Sequence, residues 1–335
     1  MTTDVGSRPS RQLRWGIMAT GGIARAFTAD LQAHGHVVQA VGSRAAASAE
    51  RFAAELSVPT AHASYEALVA DPEVDVVYVA TPHSHHAAGA LAALEHGKHV
   101  LVEKAFTLTA AEADQVVQAA AARGLVVMEA MWTRFLPHMV ALRERVREGR
   151  LGTVVSVHAD HTQQLPTAPG HRLNDPALGG GALLDLGVYP VSFALDLLGP
   201  PVDVQAVATM TETGVDATVA TAFRHQGGAV STSYSSMRAA GRNRATVLGT
   251  EGRIEVAATW YAPTSFDLHD AAGDLVEHVD IPVTGRGMQH QAAEVERLVA
   301  AGLTAGTVMP PEQSVMVMRT LDQVRSRIGL RYPGE

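Results

Sequence analysis

The sequence has 335 residues, of which 47% are hydrophobic and 18% are charged, with a net charge of −8 and no cysteine. This length favours two domains in an ordinary globular protein, and the missing cysteine excludes disulfides, thiolate metal sites and thiol nucleophiles. A negative charge without any block of like charge argues against a nucleic-acid partner or an anionic membrane surface, and no apolar run approaches the ~20 residues of a membrane span.

The chain begins with MTTDVGSRPSRQLRW, which lacks an apolar segment and predicts no signal peptide, hence a cytoplasmic protein. From there to residue 133, apolar runs alternate with alanine-rich helical segments. This alternation is typical of a parallel sheet covered on both faces and predicts a doubly wound Rossmann domain over residues 1–133. The predicted strands are Leu13–Met18, Val37–Val41, Val74–Ala80, His99–Val102 and Leu125–Met128, and the predicted helices are Ile23–Ala33, Ala45–Leu56, Ser84–Glu95 and Ala110–Ala122.

Residues 134–335 have a different pattern, in which strands follow one another through hairpin-length turns such as Gln226-Gly227-Gly228. Consecutive strands of this kind predict an antiparallel sheet, and hence an α+β domain. A partner commonly covers the open face of an antiparallel sheet, so we expect a homodimer or homotetramer formed through it. The predicted strands are Val154–Asp160, Val202–Thr211, Ala217–Arg224, Ala229–Ser236, Arg244–Leu248 and Arg253–Ala257, and the predicted helices are Gln289–Ala301 and Pro311–Arg327.

A glycine turn follows the first predicted strand, with the sequence Ala19-Thr20-Gly21-Gly22-Ile23-Ala24. It matches the dinucleotide fingerprint G-x-G-x-x-G/A, except that Ala19 replaces the first glycine. Gly21 lets the backbone approach a pyrophosphate at the helix N-terminus, and Ala24 allows close packing of helix on strand. The alternative is a tight turn that binds no ligand.

The cofactor should be selected at the end of the second strand, where an NAD-binding domain usually has an acidic residue for the ribose. This chain has Gly42-Ser43-Arg44 and no acid there. A guanidinium beside a hydroxyl suits a 2′-phosphate, so the sequence predicts NADP, with NAD as the other possibility. The alternative for Arg44 is a solvated residue in the first turn of a helix.

The chain holds 24 arginines but only two lysines, Lys98 and Lys104. Lysine can exchange a proton when its pKa is tuned, whereas arginine effectively cannot, so Lys104 is a candidate for chemistry. Lys98 has the simpler interpretation of a solvated residue at a helix end.

Three further segments lie where the predicted fold places chemistry: Thr81-Pro82-His83-Ser84-His85-His86, Glu103-Lys104-Ala105, and the glycine-rich segment from Gly179 to Tyr189. With the glycine turn, their order resembles the glucose–fructose oxidoreductase, inositol dehydrogenase and rhizopine-catabolism (Gfo/Idh/MocA) family. The segment Met128–Pro137 (MEAMWTRFLP) resembles the branch that contains dimeric dihydrodiol dehydrogenases and NADP-dependent D-xylose 1-dehydrogenases.

The resemblance implies that residues 134–335 form a substrate-binding domain with an open-faced antiparallel sheet. It also implies an active site between the two domains, with Lys104, Asp185 and Tyr189 at the positions of the family's catalytic motifs. Tyr189 would then be the acid/base, and a nearby ammonium on Lys104 would lower the pKa of its phenol. Asp185, four residues before Tyr189, would share a helix face with it and would orient Lys104 or bind a substrate hydroxyl. The expected cofactor-binding residues are Thr20, Gly21, Gly22, Ile23, Ser43, Arg44, Thr81, Pro82, His83, His86, Glu103 and Lys104.

For the substrate we expect Trp132, Arg134 and Trp260, because aromatic faces suit the apolar face of a sugar or an arene and arginine can bind hydroxyls. The alternative for both tryptophans is core packing.

We predict no catalytic metal. The adjacent His85 and His86 are poorly placed to converge on one ion, and on a strand His161 would face away from His158 and Asp160. The family usually has proline after the lysine, and with Ala105 there we expect a trans Lys104–Ala105 bond.

These features predict an oxidoreductase that moves hydride between NADP and a carbinol carbon of a sugar, another polyol or a trans-dihydrodiol. The alternatives are an inositol dehydrogenase, an anhydro-ketose reductase, and an NAD-dependent glycosidase that retains its cofactor.

Overall fold

The protein is described here by a computed structural model covering residues 12–335. The segment before Gln12, on which most of the signal-peptide prediction rests, lies outside the described residues. The first half contains strands β1 (Arg14–Met18), β2 (Val37–Gly42), β3 (Thr60–His62), β4 (Val76–Val79), β5 (His99–Glu103) and β6 (Val127–Ala130), and helices α1 (Gly22–Ala33), α2 (Ala46–Leu56), α3 (Tyr65–Ala70), α4 (His86–Glu95) and α5 (Ala110–Arg123).

These six strands form one parallel sheet in the order β3-β2-β1-β4-β5-β6, which confirms the predicted doubly wound Rossmann arrangement. The inner strands are apolar because helices cover both faces; Val76, Val77 and Val79, for example, are fully buried. Two short elements, β3 and α3, were not predicted. Lys98 is 9% exposed and its ammonium donates to the carbonyls of Asp71 and Val74, each at 2.7 Å, so its interpretation as a solvated residue was wrong.

The second half contains helices α6 (Pro137–Arg147), α7 (Val188–Leu198), α8 (Gln289–Ala300) and α9 (Pro311–Ile328), and strands β7 (Val154–Thr162), β8 (Pro201–Met210), β9 (Asp216–His225), β10 (Val230–Ser236), β11 (Ala245–Gly249), β12 (Gly252–Val256), β13 (Ser265–Asp270) and β14 (Leu275–Asp280). They form an eight-stranded sheet in the order β14-β13-β12-β11-β7-β10-β9-β8.

The second sheet is mixed rather than wholly antiparallel, because β7 and β10 pair in parallel. The long connection from β7 to β8 includes α7 and places β8 at the sheet edge, so that β9 and β10 return towards β7 as a meander. All other neighbouring pairs in this sheet are antiparallel, as predicted. Strands β13 and β14 and helix α6 were not predicted.

The two halves share one buried core, and the C-terminal helices connect them. Helix α8 contacts α1, and α9 contacts α5 and β6 of the first sheet as well as α7 and β8 of the second half. The division at residues 133 and 134 therefore stays a prediction, because elements beyond it complete the first half.

Within residues 12–335, one segment, Pro176–Leu198, is long and apolar enough to cross a membrane by length and composition. Its most apolar window is 78% buried inside the fold, as in the core helix of a globular domain.

Candidate active site

A cavity of about 1020 Å³ opens at the carboxyl ends of the parallel strands and extends under the second domain. Such an edge is where ligands bind in open α/β sheets. The structure brings nearly all the predicted site residues to this one cavity. Its lining includes Thr20, Gly21, Gly22, Ile23, Ser43, Arg44, Thr81, Pro82, His83, His86, Glu103, Lys104, Trp132, Asp185 and Tyr189.

The glycine turn forms one wall of this cavity. Gly21 is the N-cap of α1 and has an extended backbone, and no side chain caps the first N–H groups of the helix. A Cβ at Gly21 or Gly22 would meet no atom within 4 Å, so the space before the helix is open. An uncapped helix N-terminus with open space before it fits a pyrophosphate. Ala19 has φ of +92°, the left-handed conformation for which the family pattern has glycine.

At the end of β2, Ser43 is 8% exposed, whereas Arg44 is exposed at the cavity edge. The guanidinium of Arg44 interacts with the phenol of Tyr65. Tyr65, which sequence reasoning missed, also lines the cavity. An arginine next to a serine hydroxyl at this edge can bind a phosphate that extends past the end of β2.

Lys104 is held by Asp185. Its ammonium donates to the backbone carbonyl of Asp185 at 2.7 Å and lies 3.6 Å from the Asp185 carboxylate. Burial disfavours the charged form of Lys104, but Asp185, Tyr189 and Glu103 together outweigh burial and raise its pKa. Burial also acts against the Asp185 carboxylate, yet Lys104 and Arg172 lower its pKa below the usual range. At neutral pH the Lys104 ammonium and the Asp185 carboxylate are therefore both charged and form an ion pair.

Tyr189 lies at the bottom of the cavity and is 6% exposed. The indole N–H of Trp132 donates to its hydroxyl oxygen at 2.8 Å, and the Lys104 ammonium lies 5.0 Å from the centre of its ring. Burial raises the pKa of Tyr189 above its usual value, and the charge of Lys104 opposes this rise without cancelling it. Lys104 acts to lower the pKa of Tyr189, as expected, but burial raises this pKa by more. Tyr189 is therefore a neutral phenol at neutral pH.

The Lys104–Ala105 peptide bond is cis, so the expectation of a trans bond was wrong. Ala105 is fully buried, and its carbonyl is bonded to the ring of His86 at 2.8 Å. Tertiary contacts such as these determine the conformation of this peptide bond. The expectation of a trans bond considered only the local preference of a non-proline residue.

A buried carboxylate positions the segment that carries Asp185 and Tyr189. Residues Leu183–Gly187 form a π-helical turn that continues into α7, and Asp216 accepts the Leu183 N–H at 2.6 Å. Asp216 is fully buried, and burial raises its pKa to about 7. In the sequence, Asp216 is a single aspartate at the start of a strand, and nothing around it indicates that it positions this segment.

Two of the predicted substrate residues do not line the cavity. Arg134 is 2% exposed, and its guanidinium is bonded to the Ser192 hydroxyl at 2.9 Å and carbonyl at 2.8 Å. Trp260 is fully buried, with its indole N–H donating to the carbonyl of Asp160 at 2.7 Å. Both side chains are satisfied within the protein, so these two assignments were wrong.

His83 and His86, the two buried histidines of the segment after β4, have structural partners. His83 is bonded to the carbonyl of Gly179 at 2.8 Å, and His86 lies between the carbonyls of Ala105 and Thr81. Burial lowers the pKa of His83 to about 3 and that of His86 to about 4. Among residues 12–335, no three His, Asp or Glu side chains are grouped closely enough to hold a metal ion.

Sequence reasoning missed a cluster of polar side chains next to Tyr189, formed by His161, Gln163 and Tyr261. The His161 ring stacks on Tyr261 at 3.7 Å between centroids and packs edge-on against Tyr189 at 4.8 Å. Gln163 lies 2.9 Å from the His161 ring nitrogen. The alternation along β7 places His161 on the buried face with Val157, and this pattern could have identified His161 from the sequence. Tyr261 lies in an irregular loop, where no such pattern exists.

Comparisons with known proteins agree with this geometry. Residues 13–131 match the model of an oxidoreductase family with an NAD-binding Rossmann fold, and residues 139–255 match a Gfo/Idh/MocA C-terminal domain. The chain is 35% identical to the D-xylose 1-dehydrogenase (NADP(+)) of Hypocrea jecorina, covering 96% of this chain and 93% of that protein. It is also 35% identical to the human trans-1,2-dihydrobenzene-1,2-diol dehydrogenase, covering 96% and 98%.

Solved structures give the same picture. A 3-ketoreductase from Actinomadura kijaniata, solved with NADP and TDP-benzene, superposes with a TM-score of 0.84 at 27% identity, covering 94% of this chain and 98% of that chain. An aldose–aldose oxidoreductase from Caulobacter crescentus superposes with a TM-score of 0.85 at 24% identity, covering 95% and 97%, and shows the fold.

Proposed function

Because the chain belongs to the Gfo/Idh/MocA family and is therefore an NAD(P)-dependent oxidoreductase of CH–OH groups, we propose that it transfers hydride between NADP and a carbinol carbon of a sugar or a trans-dihydrodiol. One observation carries the proposal: the Tyr189 phenol is enclosed by Trp132 and the Lys104–Asp185 pair at the bottom of the cavity that the glycine turn borders.

The chain's residues supply the proton chemistry in this proposal, and a bound nicotinamide supplies or accepts the hydride. The indole N–H of Trp132 can only donate, so the Tyr189 oxygen accepts from it and keeps its own proton free for the substrate oxygen. In the reduction direction, the neutral Tyr189 phenol donates that proton to the carbonyl oxygen. In the oxidation direction, Tyr189 must first lose its proton to solvent, and the resulting phenolate, stabilised by the Lys104 ammonium, then accepts the proton of the substrate hydroxyl.

The choice of NADP rests on Ser43 and Arg44. These residues directly follow β2, where an acid would bind the ribose of NAD, and Arg44 is exposed at the cavity edge. The D-xylose dehydrogenase of Hypocrea jecorina, which is named for NADP(+), supports the same choice.

We also propose a homodimer or homotetramer formed through the open face of the second sheet. Val207, Ala220 and Tyr234 are paired side by side on β8, β9 and β10. Val207 is 71% exposed and Tyr234 47% exposed, so this row presents apolar surface to solvent. A second copy of the chain would cover it.

The test is a steady-state assay of NADP reduction at 340 nm with aldoses, inositols and dihydrodiols, comparing the wild-type protein with Tyr189→Phe. The wild type should turn over D-xylose or a trans-dihydrodiol, and Tyr189→Phe should lose at least about 100-fold in kcat because the acid/base group is gone. Tyr234→Phe, which removes a phenol hydroxyl from the exposed sheet face, should retain the activity.

Turnover of Tyr189→Phe within twofold of the wild type would contradict the role of Tyr189. Hydrolysis of a glycoside with retained cofactor and no net absorbance change at 340 nm would favour the glycosidase alternative instead.

A further inference from the structure

The segment between β14 and α8 is fastened to α1 by one buried carboxylate. Asp30 of α1 is 7% exposed and accepts the backbone N–H of Arg286 at 3.0 and 3.2 Å and that of Met288 at 3.1 Å. Gly285 has φ of +69°, and a Cβ there would collide with the Asp30 carboxylate. The backbone at Arg286 is therefore fixed against the helix that carries the glycine turn.

The side chain of Arg286 extends from this fixed backbone to the cavity wall and is exposed there. Two other cations of the cavity, Lys104 and Arg172, lie near the Asp185 carboxylate, at 3.6 and 3.5 Å. The guanidinium of Arg286, in contrast, makes no ion pair or hydrogen bond with any of the described residues. A cation that is positioned but unpaired is available to an anionic ligand.

The charge of Arg286 acts at the end of β4, next to β1. Burial and the neighbouring Glu103 raise the pKa of Tyr78 well above its usual value, and the Arg286 charge opposes this rise. Tyr78 also stacks on Phe27 of α1 at 3.9 Å. Arg286 thus lies on the α1 side of the cavity, where the strand order reverses and where a dinucleotide places its pyrophosphate.

We propose that Arg286 binds the pyrophosphate of the dinucleotide opposite the N-terminus of α1, so that a segment beyond the Rossmann sheet holds the cofactor. This inference rests on the proposed function. Asp30 is the positioning residue, because it sets the backbone from which Arg286 reaches. The group bound is the diphosphate, which NADH and NADPH share, whereas the 2′-phosphate proposed for Arg44 occurs in NADPH alone.

The experiment measures the dissociation constants of NADH and NADPH by isothermal titration calorimetry for the wild type, Arg286→Gln, Arg286→Lys and Arg44→Ala. Arg286→Gln should weaken both nucleotides by a similar factor, about tenfold, because it removes one charge-assisted hydrogen bond to a phosphate. Arg286→Lys should recover part of this affinity. Arg327→Gln, which removes an exposed charge outside the cavity, is the control and should leave both constants unchanged.

Asp30→Asn tests the positioning role. It should weaken both nucleotides in the wild-type background but add no further loss in Arg286→Gln, because the two residues act through the same contact. A residue that only stabilised α1 would give additive losses.

Unchanged dissociation constants in Arg286→Gln would overturn the inference while leaving the proposed function intact. So would a loss confined to NADPH, or a higher KM for the substrate with unchanged nucleotide affinity. If the wild type binds neither nucleotide, the proposed function fails and this inference fails with it.

Discussion

At the scale of single residues, the sequence motifs identified Lys104, Asp185 and Tyr189, and the structure places them in contact. The motifs did not predict the direction of the Tyr189 pKa, because burial depends on residues far away in the chain. Trp132 illustrates the same limit, since its expected partner was the substrate whereas its indole N–H donates to Tyr189. Residue type and spacing predict which groups meet, but tertiary packing decides their ionisation.

Cofactor choice should depend on Arg44, which we expect to bind the 2′-phosphate of NADPH. Arg44→Ala should raise KM for NADPH by about tenfold or more and leave KM for NADH nearly unchanged, because only NADPH has the 2′-phosphate. Steady-state rates with both cofactors measure this, with Arg51→Ala on the exposed side of α2 as the control. Equal KM changes for the two cofactors would contradict the assignment of Arg44.

At the scale of elements, hydrophobic pattern predicted the first half well. Its strands are buried apolar runs separated by helices, and only the short β3 and α3 were missed. The second sheet was less predictable, because pairing between distant strands is not local. Nothing in the sequence of β7 indicates that it pairs in parallel with β10, since this depends on the crossover through α7.

The exposed apolar row on β8, β9 and β10 should form the interface between subunits. Val207→Lys combined with Tyr234→Lys should convert the proposed oligomer to monomers, because two charges would be buried in the interface. Sedimentation-velocity ultracentrifugation measures the change. Val276→Lys on the distant edge strand β14 is the control, because Val276 is also exposed, at 48%. An oligomer that persists in the double variant, or a monomeric wild type, would contradict the proposed interface.

At the scale of the whole molecule, the active site depends on both halves. Lys104 follows the Rossmann strand β5, whereas Asp185 and Tyr189 come from the segment that precedes and forms α7. Composition and motif order predicted this arrangement through the family resemblance. They did not show that Tyr261, and not its neighbour Trp260, lines the cavity. In a loop, one of two adjacent side chains can enter the core while the other faces the cavity, and the sequence has no periodic pattern that separates them.

The stability of the folded protein should depend on pH through Glu129. Glu129 on β6 is fully buried, neither of its carboxylate oxygens has a hydrogen-bond partner among the described residues, and burial raises its pKa to about 7 despite the opposing charge of Arg134. A raised carboxyl pKa favours the folded state below the unfolded pKa of ~4.3, and this contribution is lost as the pH rises through about 7.

Glu129→Gln removes this titration. From pH 5 to pH 8, the free energy of unfolding of the wild type should therefore fall relative to Glu129→Gln by about 1–3 kcal/mol. Urea unfolding at several pH values measures the difference, with Glu212→Gln in an exposed turn as the control. A difference between wild type and Glu129→Gln that stays constant over this range would contradict the prediction.

In the proposed mechanism, the Lys104 ammonium stabilises the Tyr189 phenolate. The pH profile of kcat/KM for NADP-dependent oxidation measures this role in the wild type and in Lys104→Met, with Lys98→Met, at the chain's only other lysine, as the control. Lys104→Met should shift the alkaline rise to higher pH by about two units and therefore lower the rate at pH 7 by about 100-fold, while Lys98→Met keeps the wild-type profile. An unchanged profile and rate in Lys104→Met would show that Lys104 does not stabilise the phenolate.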